Sequence, residues 1–345
     1  MLSFSGLRAA QDIESIPITR HEISKDVVLY QMGQTGACPN MTAVRTSAGT
    51  VVFDALMSPA LAKRVRDMIE KDFGGKIACL INTHGAIDHT GGNPAFKDVP
   101  IYGHANIKTE MDQMSQALAR MATNQPSAPS EETKKRLEEA GARRAKLLEE
   151  VKRNYRGDLK EFDETDRMMR FLDPLHPPEM VVPTTLIGES YDLTVGDKTF
   201  HISHNTPSYS ESDIVTSIPE IKTLIVGDIF NAGRIPLLSS QGTDLDSWAK
   251  LFAPYIADNS KVEHFIGTHG AGLLTAAEIR EQFQYLNKLS EEVKNLKASG
   301  KSAAEIQAAL PLDQFPYLSK YNPYFYGTTQ NVHSANIASL WTRMK

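Results

Sequence analysis

The short run Ile77-Ala78-Cys79-Leu80-Ile81 leads directly into Asn82-Thr83-His84-Gly85-Ala86-Ile87-Asp88-His89-Thr90-Gly91-Gly92-Asn93. An apolar stretch of that length reads as a buried strand. Behind it stand two histidines and one aspartate within six residues, followed by paired glycines. This is a strand ending in a loop loaded with metal-ligand chemistry, and no other stretch constrains the fold as much. Similar strands end in similar groups elsewhere. Thr50 to Phe53 delivers Asp54, Thr223 to Val226 delivers Gly227-Asp228, and His264-Phe265-Ile266 delivers Gly267-Thr268-His269-Gly270.

Around these strands the periodicity alternates between two and about three and a half. Residues 1–20 read as an irregular lead-in. Val27 to Tyr30 and Met41 to Thr46 read as strands, and Leu61, Val65, Met68, Ile69 and Phe73 share one helical face that Gly74-Gly75 closes. Ile101 to His104 is a further short strand. These elements predict a sheet layered with helices. Between 105 and 172 the chain turns Met-rich and then strongly charged, with a breaker at 124–130, which predicts a helical insertion between two sheet halves, a lid or an oligomer contact. Strand signals resume near 181, and Tyr191 to Val195 pairs with Lys198 to Ser203 about the turn Gly196-Asp197. A helix carries Leu245, Trp248, Leu251, Phe252 and Tyr255. Thr275 with Glu278 and Ser302 with Glu305 match the capping box at two helix starts. The aromatic-rich stretch 315–345 is expected to pack across the body or a partner subunit.

The bulk numbers exclude several classes. With 345 residues the chain can bury a sizeable core without disulfides, and its two cysteines, Cys38 and Cys79, form no framework and match no zinc spacing. A net charge of −5 gives no general attraction to nucleic acid or anionic membrane. No signal peptide and no apolar run of membrane-spanning length is visible, so a cytoplasmic protein is the expectation.

Imidazole and carboxylate together suit zinc, with iron and manganese as competitors. Gly91 and Gly92 are expected to let the backbone turn sharply behind the ligands. Over roughly residues 25–290 the chain resembles the metallo-β-lactamase superfamily. That family carries a His-x-His-x-Asp-His motif after a strand, a later loop His, a Gly-Asp strand end and a final Gly-His. Here His84, Asp88 and His89 match the first motif, Asp228 the Gly-Asp and His269 the last His. Asp54 matches an acid that supports the site from behind its ligands. The resemblance implies an α+β fold, an αββα sandwich with a helical insertion and a helical C-terminal extension. It implies a metallo-β-lactamase-like domain over 1–290, containing the insertion 105–172, and a helical and aromatic extension over 291–345.

Two departures narrow the expectation. Ala86 stands where the second His of the motif would be, and Tyr209 where the loop His would be, reading His204-Asn205-Thr206-Pro207-Ser208-Tyr209. Both missing ligands serve one of the family's two metals. The resemblance therefore implies a single zinc held by Asp88, His89, Asp228 and His269. His84 stands beside it as a ligand, an acid–base group or an orienter, and Tyr209 offers a pocket hydroxyl. His104, Asn231 and Arg234 are candidate substrate-binding residues; His21, His176, His264 and His333 read as structural or surface groups. The single-metal pattern looks most like the hydrolytic dehalogenases that act on chlorothalonil, in which a zinc-activated hydroxide displaces chloride from an activated chloroaromatic. One rival is a two-metal hydrolase of a sulfate ester, ester, lactone or lactam, with His204, or His201, completing the first site. The other is a degenerate, non-catalytic binding or assembly member of the fold. The expected partners are a small-molecule substrate and a second copy of the chain in a homodimer.

Overall fold

The computed structural model describes residues 15–123, 131–171, 179–204, 208–238, 244–270 and 272–343. Two sheets form its centre. The first holds β1 (Ile18–Ser24), β2 (Val27–Met32), β3 (Asn40–Thr46), β4 (Gly49–Phe53), β5 (Ile77–Ile81), β6 (Ile101–His104) and β7 (Thr185–Ile187), side by side in that order. It is antiparallel as far as β4 and parallel from β4 to β7. The second holds β8 (Ser190–Val195), β9 (Lys198–His204), β10 (Ile214–Ile218), β11 (Thr223–Gly227), β12 (His264–Gly267) and β13 (Leu273–Leu274), again neighbours in chain order. Only β11 and β12 run parallel there. Parallel neighbours need a crossover. Helix α1 (Pro59–Phe73) supplies the one between β4 and β5, and α6 (Leu245–Ile256) the one between β11 and β12.

Alternation along each strand sends side chains to both faces. From β2, Val27 and Leu29 join Phe53, Ile81, Phe200, Ile202, Ile225 and Ile266 in the core between the sheets. Val28 and Tyr30 face the other way, against Leu61, Val65 and Ile69 of α1. On the far side, Leu224, Val226 and Phe265 pack with Trp248 and Phe252 of α6 and with Phe283 and Leu286 of α7 (Ala276–Ala298). The layers are helix, sheet, sheet, helix, the expected sandwich. Both capping boxes form, at the starts of α7 and α8 (Ala303–Ala309). The described part of the aromatic-rich stretch, residues 315–343, packs on the body. Phe315, Tyr321 and residues of α9 (Val332–Arg343) enter the same core as Trp248, so the expected boundary at 290/291 falls inside α7.

Several elements differ from expectation. Strand β1 lies partly in the stretch read as irregular lead-in, because its burial pattern follows no clean alternation. The short β10 was hidden behind a polar segment. The insertion does not separate the two sheets. Its helices α3 (Ile107–Thr123), α4 (Glu131–Asn154) and α5 (Lys160–Phe171) sit between β6 and β7, which pair with each other. Helix α5 is an element beyond those expected, and its sequence is mostly charged and polar. The breaker at 124–130 and His176 lie outside the described residues. Among the described residues, no helix is long and apolar enough to cross a membrane.

The glycines behind the motif act differently from expectation. Gly91 and Gly92 have φ of −61° and −87°, which any residue adopts. Their role is close approach: a Cβ on Gly92 would lie 1.8 Å from the carbonyl oxygen of Ala55 and 2.6 Å from Cβ of Ala62. Backbone must move to admit even a methyl group. Gly92→Ala is expected to destabilise the fold by about 3 kcal/mol, read by urea denaturation; a change below about 0.5 kcal/mol, the size of an ordinary surface substitution, would refute the close-packing account.

Candidate metal centre

Four strand ends meet at one edge of the sandwich, and the site is built on the first of them. Asp54 follows β4 with φ of +60°, a left-handed conformation that is strained for a residue with a Cβ. The twist turns its carboxylate beneath the motif. Oδ1 accepts from the amide of Thr83 at 2.8 Å, and Oδ2 accepts from Thr83 Oγ1 at 2.8 Å and His89 Nδ1 at 3.0 Å. The expected loop is partly helical: Asp88 and His89 lie in the single turn α2 (Ile87–Thr90), with Ala86 extended at its N-cap.

The hydrogen bonds fix how each imidazole faces. His89 donates Nδ1–H to Asp54, and His269 donates Nδ1–H to the carbonyl of Gly36 at 3.2 Å. Thr83 Oγ1 already donates to Asp54, so it accepts from His84 Nδ1 at 3.1 Å. All three rings therefore turn an Nε2 lone pair inward. Nε2 of His89 lies 3.4 Å from Asp88 Oδ2 and 3.7 Å from Asp228 Oδ2; for His269 Nε2 the same separations are 3.3 and 3.5 Å. His84 Nε2 is 3.9 Å from Asp228 Oδ2. The other oxygen of Asp228 is held at 2.5 Å by Thr268 Oγ1 and at 3.2 Å by Asn231 Nδ2, and Asn231 Oδ1 accepts from the His269 amide.

These residues fit a divalent cation. Nε2 of His84 and of His89 are buried without any hydrogen-bond partner, a costly arrangement unless something else binds them. Ligands about 2.0–2.2 Å from a tetrahedral ion lie about 3.3–3.6 Å from one another, close to the separations above. The donor atoms form two overlapping triads, His84–His89–Asp228 and Asp88–His89–His269. Electrostatics agree. Burial disfavours charge on His89, yet Asp88, Asp54 and Asp228 together hold its pKa well above the ordinary value. Burial likewise works against ionised Asp88, but His89 and His269 hold it well below the carboxylate range. A proton on His89 occupies the place of a cation, and a metal must displace it.

The remaining candidates separate into those near this group and those apart from it. Tyr209 sits on a turn wound about the buried carboxylate of Asp213, which accepts from the amides of Tyr209 at 2.7 Å and Ser210 at 2.6 Å. Its ring meets His84 edge-on at 5.4 Å. Burial, then Asp228 and Asp88, raise its pKa strongly, so the phenol keeps its proton and is a donor. With Asp228 and Asn231 it lines a chamber walled by Ile235, Leu237, Tyr324, Phe325 and Tyr326. Arg234 borders the same chamber, but its guanidinium is paired with Glu161 and lies 4.7 Å over the ring of Tyr326. His104 is elsewhere: its ring stacks on His204 at 3.5 Å, beside Glu189. His204 donates Nδ1–H to the carbonyl of Asp213, and His201 pairs with Asp192 at the surface. Neither histidine joins these two triads; His204 stands instead with His104 and Glu189, a third group of donor atoms close enough to hold an ion. His333 is structural, bound between Tyr285 and Leu310.

Two contributors were not read from the sequence. Tyr326 stacks on His269 at 4.4 Å, and Glu110 of α3 accepts from the amides of Gly85 at 3.0 Å and Glu211 at 2.6 Å, tying both site loops to the insertion. The aromatic cluster at 315–345 was the one visible signal for the first; nothing in the spacing marked the second.

Two outcomes are expected. Asp54→Asn frees the His89 tautomer and should weaken zinc binding about 10–100-fold in a chelator competition titration; equal affinity would refute the supporting role. For His104, burial and the neighbouring His204 lower the pKa from 6.5 to about 4. Between those values the unfolded chain binds a proton that the folded chain does not, so stability falls as pH drops through that window. In His104→Gln the stability difference between pH 7 and pH 5, read by urea denaturation, should shrink; an unchanged difference would refute the assignment.

The model of the metallo-beta-lactamase superfamily matches residues 39–265, from β3 into β12. A metallo-beta-lactamase type 2 of Bacillus sp. (strain 170) is 29% identical over 118 residues, which is 31% of this chain and 46% of that protein. The chain thus matches less than half of that relative's length. The stereoselective inverting sec-alkylsulfatase Pisa1 from Pseudomonas sp. has a similar fold, with a TM-score of 0.64 at 19% identity over 98% of this chain and 52% of its own. A double mutant of that enzyme gives 0.65 at 18% identity with the same coverage. The family match covers about two thirds of the chain and includes the strands that carry Asp54, the motif and Asp228: the chain belongs to the metallo-beta-lactamase superfamily.

Proposed function

We propose that this chain is a metal-dependent hydrolase of a small molecule, with one zinc held by Asp88, His89, Asp228 and His269 and with His84 beside it. The observation that carries the reading is the convergence of inward-facing Nε2 lone pairs, two of them buried and unpartnered, on the Oδ2 atoms of Asp88 and Asp228. When bound, the ion would supply Lewis-acid activation and lower the pKa of water toward ~7. The chain's own groups do the rest. Asp54 and the Gly36 carbonyl hold the tautomers of His89 and His269. Tyr209 keeps a phenolic proton to donate to a leaving group or to developing negative charge. Leu237, Tyr324, Phe325 and Tyr326 wall the small cavity of about 20 Å³ beside Asp228 and present apolar surface next to the proposed ion.

Within this class the reading favoured is hydrolytic dehalogenation of an activated chloroaromatic such as chlorothalonil. Ala86 and Tyr209 remove two ligands from one metal position and leave the other complete, and aromatic side chains, Tyr209, Tyr324, Phe325 and Tyr326, line the small cavity beside Asp228. The second reading is a two-metal hydrolase of a sulfate ester. It is supported by His84, whose unpartnered Nε2 completes a second triad, and by the sec-alkylsulfatase fold that spans nearly the whole chain.

Elemental analysis of protein purified in zinc, with parallel assays for chloride from chlorothalonil and sulfate from a secondary alkyl sulfate, separates the two. One ion per chain with chloride release is expected; two ions with sulfate release would transfer the assignment to the second reading. Asp88→Ala should lose more than the ~10–100-fold that removal of an outer supporting group costs. Unchanged turnover in that variant would remove the metal mechanism altogether, and a chain that takes up no metal would be a binding member of the fold.

A further inference from the structure

We propose that α5 of the insertion fixes the imidazole of His269 through two glutamates one helical turn apart, Glu161 and Glu164, and that both are positioning residues for the candidate metal centre; this rests on the metal-dependent reading above. His269 follows a short strand and has no Asp54 of its own. On the side away from Asp88 and Asp228, its ring meets the Gly36 carbonyl at Nδ1 and the stacked ring of Tyr326. Each contact leads back to α5.

The first path runs through the 33–38 turn. Glu164 is 8% exposed, so its charge needs full hydrogen bonding. It accepts from the amide of Gln34 at 2.7 Å, the amide of Thr35 at 3.3 Å and Thr35 Oγ1 at 2.5 Å. The turn is shaped around this carboxylate: Gly33 has φ of +79°, and a Cβ there would lie 2.8 Å from both of its oxygens. Gly36, next along, is thereby placed with its carbonyl toward His269. The second path runs through Tyr326. Glu161, 4% exposed, accepts from Arg234 Nη2 and from the hydroxyl of Tyr155. The guanidinium so held covers Tyr326, whose carbonyl accepts from Thr165 of the same helix at 2.5 Å. Gly327 lies so close to α5 that a Cβ on it would be 2.4 Å from the Glu161 carbonyl. Because both paths start from one rigid helix, they set the ring's position and its tautomer together.

The test uses the full chain, metal-free and then titrated with zinc. Long-range nitrogen–proton NMR on His269, assigned by comparison with His269→Gln, should show a single Nδ1–H tautomer in the unaltered protein and a mixture in Glu164→Gln. The zinc dissociation constant should rise about tenfold in Glu164→Gln and in Glu161→Gln, with circular dichroism unchanged. If Glu164→Gln fails to fold, Thr35→Val removes one hydroxyl bond to the same carboxylate, and a roughly threefold rise is expected. A single tautomer and unaltered zinc affinity in the folded variants would overturn the proposal while leaving the metal reading intact. A tautomer that depends on Glu164 in a protein that takes up no zinc would uphold the positioning and remove the metal reading.

Discussion

A buried carboxylate with nothing to bind would be among the most expensive groups this protein could carry. Asp54 meets that demand by collecting three donors, the Thr83 amide, the Thr83 hydroxyl and the Nδ1–H of His89. The arrangement links the ends of β4 and β5 and the turn α2. It also decides chemistry. With Nδ1–H of His89 committed, the Nε2 lone pair can only face the two aspartates, and with the Thr83 hydroxyl committed, His84 must turn the same way. The left-handed backbone at Asp54 is the strain that this one interaction offsets.

Much of this was legible because it is local. Strands delivering Asp54, His84, Asp228 and His269 announce themselves as short apolar runs, and the two capping boxes are visible three residues apart in sequence. The layered architecture follows from those runs and their order. What could not be read is long-range. Asn231 reaching both Asp228 and His269, Glu110 reaching Gly85 and Glu211, and Tyr326 lying on His269 are contacts across the fold, between residues whose types recur many times elsewhere in the chain. The paired glycines show a further limit. A sequence reveals that a glycine is present, but a need for positive φ and a need for space leave the same letter, and Gly92 turned out to be the second kind.

The departures from the family pattern have a physical form. Ala86 is the N-cap of α2, and its carbonyl accepts from the amides of His89 and Thr90. Its backbone keeps the metal loop in shape although its side chain coordinates nothing. Tyr209 presents a protonated phenol from the Asp213 turn. On the single-zinc reading proposed above, Ala86 gives up coordination and Tyr209 offers hydrogen-bond donation in its place.

The contact between Gly85 and Glu110 carries a consequence for how this loop can vary. The space a side chain at 85 would need is filled by the glutamate, whose Oε2 would lie 2.5 Å from a Cβ placed there, and that same oxygen accepts from the Gly85 amide. Neither position is independently replaceable: a larger residue at 85 displaces the carboxylate, and a shorter one at 110 strands the amides of Gly85 and Glu211. The two sites form a coupled pair in which the fitness of one substitution depends on the state of the other. Through Glu110 a helix of the insertion shares the packing and hydrogen-bonding constraints of the loop that carries His84, Asp88 and His89.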